Sequence, residues 1–288
     1  MSAAVVKIKD LSFTYDGSES PALQDIDLEI REGEFVVLTG PTGAGKSTLC
    51  YCLTGIIPHL LRGDLKGDIE VLGIHARHSD MSAIVQKVGM VLQDPEVQLF
   101  SPTLFDNVTF GPSNFGLPRE EVIKRADWAL EAVRMEKFKK KGPRELSGGQ
   151  KQRGAIASTL TLLPEIFILD EPTSELDPVG KSEVISSIKE LSTEYRKTIL
   201  LVTHEMETII EVASRLIILN DGKIRADGPA DEILKDPNIL GKFGIRPPQV
   251  TELAHKLIKR GIGINEIPLT LEQANKAFGR LLSKERAN

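Results

Sequence analysis

Apolar and polar positions alternate or run together along this chain in lengths suited to strands. Residues 22 to 30, ALQDIDLEI, alternate as a half-exposed strand does. EFVVLTG (34–40) is continuously apolar, the mark of a strand buried on both faces, and VGMVLQ (88–93), IFILDE (166–171) and TILLVTHE (198–205) repeat that pattern. Helical patterns lie between them, so the chain predicts an α/β fold with a mostly parallel sheet core. The runs stop at a glycine-rich loop, at Gln93, at Asp170–Glu171 and at His204–Glu205. Ligands of open α/β sheets bind outside the carboxyl ends of the strands, so these polar ends outline a single site.

Residues 95 to about 164 interrupt this rhythm with turns and helical patterns and read as a mainly helical insertion. In RLIILNDGKIRADG (215–228), Asp221–Gly222 marks a hairpin turn. From 229 to 288 the pattern changes to short helices broken by RPP and GIGINEIP. There VTELAHKLIKRG sets Val250, Leu253, Leu257 and Ile258 on one face, as a docking or dimer-forming helix would. No internal repeat is present.

Composition narrows the field. The 288 residues are 41% hydrophobic and 27% charged with a net charge of −5, which speaks against general binding to nucleic acid or a lipid surface. The basic run Lys137 to Lys141 reads as a solvated helix end. No apolar run approaches the ~18 residues of a membrane span, and MSAAVVKIKD lacks the apolar stretch of a signal peptide. Cys50 and Cys52, two apart on a helical pattern, fall on different faces and are expected to be buried free thiols.

The glycine-rich loop GPTGAGKS (40–47) fits G-x-x-x-x-G-K-[ST] and stands between a buried strand and a helical pattern. Its backbone N–H groups suit phosphates, Lys46 can reach the terminal ones, and Ser47 offers a hydroxyl to Mg²⁺. Asp170, ending a buried strand, can hold Mg²⁺, and its neighbour Glu171 can act on an attacking water. LSGGQ (146–150) opens a helix with Ser147 as N-cap and Gln150 reaching back. Glycine costs about 1 kcal/mol in a helix, so Gly148 and Gly149 suggest a close approach to the backbone at a ready anion site.

Taken together, the phosphate loop, ILDEP and LSGGQ resemble ATP-binding-cassette ATPases over residues 5 to 228. The resemblance implies a RecA-like P-loop fold with an antiparallel β part and a helical subdomain at about 95–164, followed by a small C-terminal helical extension (229–288). It implies that Gly40, Pro41, Thr42, Gly43, Ala44, Gly45, Lys46, Ser47 and Thr48 bind ATP and that Tyr15 stacks on adenine. Gln93 resembles the Q-loop glutamine and joins Ser47 and Asp170 at Mg²⁺; SELD (174–177) resembles the D-loop, with Glu175 where alanine is common. Lys46, Glu171 and the switch histidine His204 would carry hydrolysis. Cassettes of this family meet head to tail, so Ser147, Gly148, Gly149 and Gln150 would serve the ATP of a second cassette, identical or related.

The segment LQDPEVQLFSPTLFDNVTFGPSNFG (92–116), with GIIPHLLRG and RPPQVTELAHKLIKRG…PLTLEQ, resembles the ATPases of energy-coupling factor transporters, which take up vitamins or metal ions such as cobalt and nickel. That implies a transmembrane coupling subunit and a substrate-binding S-component as partners, with the chain on the cytoplasmic face of the membrane. Phe100, Phe105, Phe110 and Phe115 are expected either to meet that partner or to form the core of the helical insertion. The other readings are the cassette of an ordinary binding-protein-dependent importer, and a soluble cassette acting on ribosomes. The single cassette and negative charge oppose the latter.

Overall fold

The computed structural model describes residues 2–210 and 212–285. Its strands are β1 (Ala4–Tyr15), β2 (Leu23–Arg31), β3 (Phe35–Thr39), β4 (Gly63–Val71), β5 (Ile74–His75), β6 (Val88–Val91), β7 (Ile166–Asp170), β8 (Thr198–Val202), β9 (Arg215–Asn220) and β10 (Lys223–Pro229). They form an antiparallel sheet in the order β2-β1-β4-β5 and a second sheet in the order β10-β9-β3-β8-β7-β6. The second sheet is parallel from β9 to β6, with β10 antiparallel at its edge. The architecture is α/β, as the alternation of strand and helix patterns implies.

Every residue of β3, β7 and β8 is buried, because both faces of the sheet are covered. The period-2 geometry of a strand divides them between two cores. Phe35, Val37, Phe167, Leu169, Ile199 and Leu201 face the helical side, while Val36, Leu38, Ile168, Leu200 and Val202 face the antiparallel sheet. β2 is buried at alternate positions, as its pattern requires.

The apolar pattern does not mark β1 and β4. Their pairing slips around Asp10, whose φ is 51°, opposite Gly67 at φ 81°. This bulge breaks the alternation on which a strand reading depends.

Between β6 and β7 the chain forms the helices Leu104–Asn114, Arg119–Ala132 and Gly148–Leu160, with short 3₁₀ turns. Thr103 and Asp106 close a capping box on the first of them. The basic run forms a 3₁₀ turn at Glu136–Phe138 rather than a helix end, and Lys139 pairs with Asp127 at 2.5 Å. Asp221 and Gly222 both adopt positive φ (50° and 69°) in the turn joining β9 to β10. Four helices follow: Ala230–Lys235, Pro237–Lys242, Gln249–Lys259 and Leu271–Glu285. Cys50 and Cys52 are buried and free.

Candidate functional site

The loop after β3 wraps tightly because it must pass beneath β9. Gly40 sits at φ 147°, and a Cβ there would lie 1.9 Å from the Leu219 carbonyl oxygen, so only glycine fits. Gly45, at φ 101°, caps the helix Lys46–Leu53, directing that helix's unpaired N–H groups toward the loop. Lys46 is buried and donates to the carbonyls of Gly40 and Pro41, at 2.9 and 3.1 Å. Tyr15 stands beside the same helix, its hydroxyl 3.0 Å from Thr48 Oγ1 and its ring edge-to-face with Phe13.

β7 delivers Asp170 and Glu171 alongside. Asp170 is buried, and burial is the main force raising its carboxyl above the usual range. A hydrogen bond from Ser47 and the charge of Lys46 oppose that rise, while Glu171 adds to it. Ser47 and Asp170 therefore present hard oxygen donors beside the phosphate loop, a set that suits Mg²⁺. Glu171 has the left-handed φ of 46°, held by its N–H donating to the Val202 carbonyl at 2.9 Å. Its Oε2 lies 3.2 Å from Nδ1 of His204, which the end of β8 supplies.

Thr39, Gly40, Lys46, Glu171 and His204 line one pocket of about 380 Å³. A second pocket of about 310 Å³ is lined by Gln93, Glu96, Gly148, Lys151, Ser174 and Glu175. Gln93 does not join Lys46 in the first pocket; it donates to Ser174 Oγ at 3.4 Å, and Ser174 Oγ donates to the Glu171 carbonyl at 3.1 Å. Glu175 is exposed in the second pocket.

Ser147 caps the helix Gly148–Leu160 as its sequence predicts. Gln150 N–H donates to Ser147 Oγ at 3.3 Å, and Ser147 N–H to Gln150 Oε1 at 3.1 Å. The glycines here have a further cause within the chain: a Cβ on buried Gly149 would stand 3.0 Å from Gly180 Cα. An ion pair from Lys151 to Glu96 ties this helix to the residues after Gln93.

A third hollow, about 380 Å³ and mostly apolar, lies between β6 and the helical insertion. Ile56, Met81, Val97, Phe100, Phe110 and Leu162 line it. Phe100 and Phe110 meet edge-to-face at 4.8 Å and remain 62% and 46% exposed. Phe105 departs from the others: it packs on the helical-side core, with Lys139 over its ring. The five-residue spacing of these phenylalanines carries no single face on a helix of 3.6 residues per turn. Phe243 to Arg246, which also line the pocket around Lys46, carried no functional signal in the sequence beyond the Pro247–Pro248 break.

The family model described as "ABC transporter" matches residues 23–174. A putative ABC transporter ATP-binding protein of Methanosarcina acetivorans is 43% identical over 98% of this chain, and the chain spans 43% of that relative's length. An energy-coupling factor transporter ATP-binding protein of Clostridium tetani is 40% identical, covering 98% of this chain and 99% of its own. The solved structure of cbiO1 from Clostridium perfringens, described as part of the ABC transporter complex cbiONQ, superposes with a TM-score of 0.75 at 32% identity. It covers 88% of this chain and 99% of that one. With more than half of its length matched and its nucleotide motifs gathered at the carboxyl ends of one sheet, the chain belongs to the ABC transporter family, as one of its ATP-hydrolysing cassettes.

Proposed function

We propose that this chain is the ATP-binding and ATP-hydrolysing subunit of an energy-coupling factor importer for a vitamin or a transition-metal ion. The observation that carries the reading is the apolar hollow with its two exposed phenylalanines, beside the segment that follows Gln93. Such a groove suits a helix laid in by its apolar face, as a membrane subunit could offer. Near-complete mutual coverage with the Clostridium tetani energy-coupling factor protein supports the same reading. No helix among the described residues is long and apolar enough to cross a membrane, so the chain would attach at the cytoplasmic face through its partners.

In this reading residues 1–228 form the cassette. ATP lies on Gly40 to Thr48 with its base on Tyr15, and Lys46 exchanges its carbonyl partners for phosphate oxygens. Glu171 orients the attacking water and accepts its proton, while His204 holds the carboxylate in place. Ser47 and Asp170 would hold Mg²⁺, with Gln93 drawn in from Ser174; the ion supplies positive charge against the phosphates. Ser147 to Gln150 lie apart from the chain's own phosphate pocket, which supports a site completed by a second cassette, identical or related. The helix Gln249–Lys259 of the extension 229–288 keeps Leu253 and Ile258 46% and 40% exposed, in keeping with a contact to that partner.

The test is purification of the native complex from detergent-solubilised membranes. A transmembrane coupling subunit with a small substrate-binding membrane protein is the expected company. Ribosomes, or a permease served by a soluble binding protein, would overturn the reading.

A further inference from the structure

The phosphate pocket has a wall that neither the motifs nor the strand ends provide. Phe243, Gly244, Ile245 and Arg246 line it together with Lys46, Glu171 and His204. Local chemistry fixes these residues firmly. The helix Pro237–Lys242 ends with Gly244 at φ 67°; Ile245 N–H donates to the Leu240 carbonyl at 3.0 Å and Gly244 N–H to Gly241 at 3.3 Å. These are the two bonds of a Schellman cap. Phe243 and Ile245 pack on the helical-side core.

Beyond Arg246 come Pro247 and Pro248. A residue before proline is restricted to extended backbone, and Pro248 is buried where it starts the helix Gln249–Lys259. Thr251 Oγ1 donates to the Pro268 carbonyl at 2.6 Å and anchors that helix in turn. Arg246 is therefore held at the pocket edge from both sides, yet its side chain is exposed and makes no hydrogen bond or ion pair among the described residues. The nearby carboxylate Glu252 pairs with Lys256 instead, at 2.5 Å. Inside the pocket the buried hydroxyl of Thr39 also lacks a partner among the described residues.

Arg246 thus presents a guanidinium on an anchored backbone, without a hydrogen-bond or ion-pair partner among the described residues and with only the distant pull of Glu252. At the mouth of a pocket lined by Lys46 it has one natural counterpart, a polyanion. We propose that Arg246 binds the terminal phosphate of ATP, so that the segment after the cassette distinguishes ATP from ADP. The planar fork of arginine matches phosphate oxygens in pairs. The outermost phosphate is the relevant one because Glu171 and His204, which face the same space, belong to the end where the bond is broken. The inference rests on the assignment of Gly40 to Thr48 as the phosphate loop and is independent of what is transported.

Isothermal titration of a non-hydrolysable ATP analogue and of ADP, each with Mg²⁺, tests it. Arg246→Ala should weaken the analogue roughly tenfold or more while changing ADP little, and Arg246→Lys should fall between. Hydrogen exchange of residues 240–248 should slow when the analogue binds to the unaltered chain, but not in Arg246→Ala. Melting curves establish that the variants are folded. Unchanged affinity for the analogue, or equal losses for both nucleotides, overturns the proposal. Lys46→Ala separates the two layers: it should weaken both nucleotides, and if it does so while Arg246→Ala binds normally, Arg246 is dismissed and the phosphate loop stands.

Discussion

The pocket around Lys46 and the apolar hollow enclose similar volumes, about 380 Å³ each, and differ in how they are finished. In the first, the candidate site groups already have partners inside the chain: Lys46 on two carbonyls, Asp170 on Ser47, Glu171 on His204. In the second, Phe100 and Phe110 have mainly each other and leave much of their surface to water. A site that takes a charged ligand gains from dipoles and charges set in advance. A surface that takes a protein helix gains from burying apolar area on contact, and needs no internal network to do it.

If the first pocket is the chemical one, Glu171→Gln produces the largest effect. The amide keeps the shape and loses the basicity, so phosphate release should fall about 10²–10⁴-fold while ATP binding survives. Turnover near that of the unaltered chain removes Glu171 from its role. Next comes the split between the phosphate loop and the signature helix. Lys46→Ala and Ser147→Arg should each abolish hydrolysis, and isolated mixed dimers of the two should regain one working site if the cassette pairs with itself. Mixed dimers without activity argue against a shared site.

The hollow yields a smaller and more selective effect. Phe100→Asp and Phe110→Asp should reduce assembly with the membrane subunits and transport, with basal hydrolysis and melting temperature nearly unchanged. Phe105→Asp should instead lower the melting temperature by roughly 5 °C, because it takes a partly buried ring from the core. Normal transport by the first two variants dissolves the contrast between the two regions.

The smallest effect lies away from both sites. Burial pushes the Cys52 thiol up to about 12 from 9.0. The folded state then keeps its proton where the unfolded chain releases it, so stability declines as pH rises from 9 toward 12. Denaturant titrations at pH 8 and pH 10.5 should show a shallower decline for Cys52→Ala than for the unaltered chain.

The candidate site was more legible in the sequence than the architecture around it. β3, β7 and β8 announce themselves because strands covered on both faces are mostly apolar, and the polar residues at or just beyond their ends then mark the candidate ligand edge. β1 and β4 were hidden by the bulge at Asp10 and by Gly63 and Gly67, which strands otherwise avoid. The phenylalanine spacing singled out a segment without separating core from surface, since Phe105 and Phe110 lie on different sides of one helix. Arg246 left no trace because its local cap and prolines mark only a helix end and a break, whereas its place beside Lys46 depends on Phe243 and Ile245 packing on a distant core.

The backbone of Glu171 carries an implication for directed evolution. A side chain in the left-handed region costs about 1–2 kcal/mol that glycine would not incur. Selection for heat resistance alone therefore rewards loss of the carboxylate proposed to orient the attacking water. A library screened only by melting temperature should drift toward glycine at this position, enriching sturdier proteins that, if Glu171 has its proposed role, no longer turn over ATP.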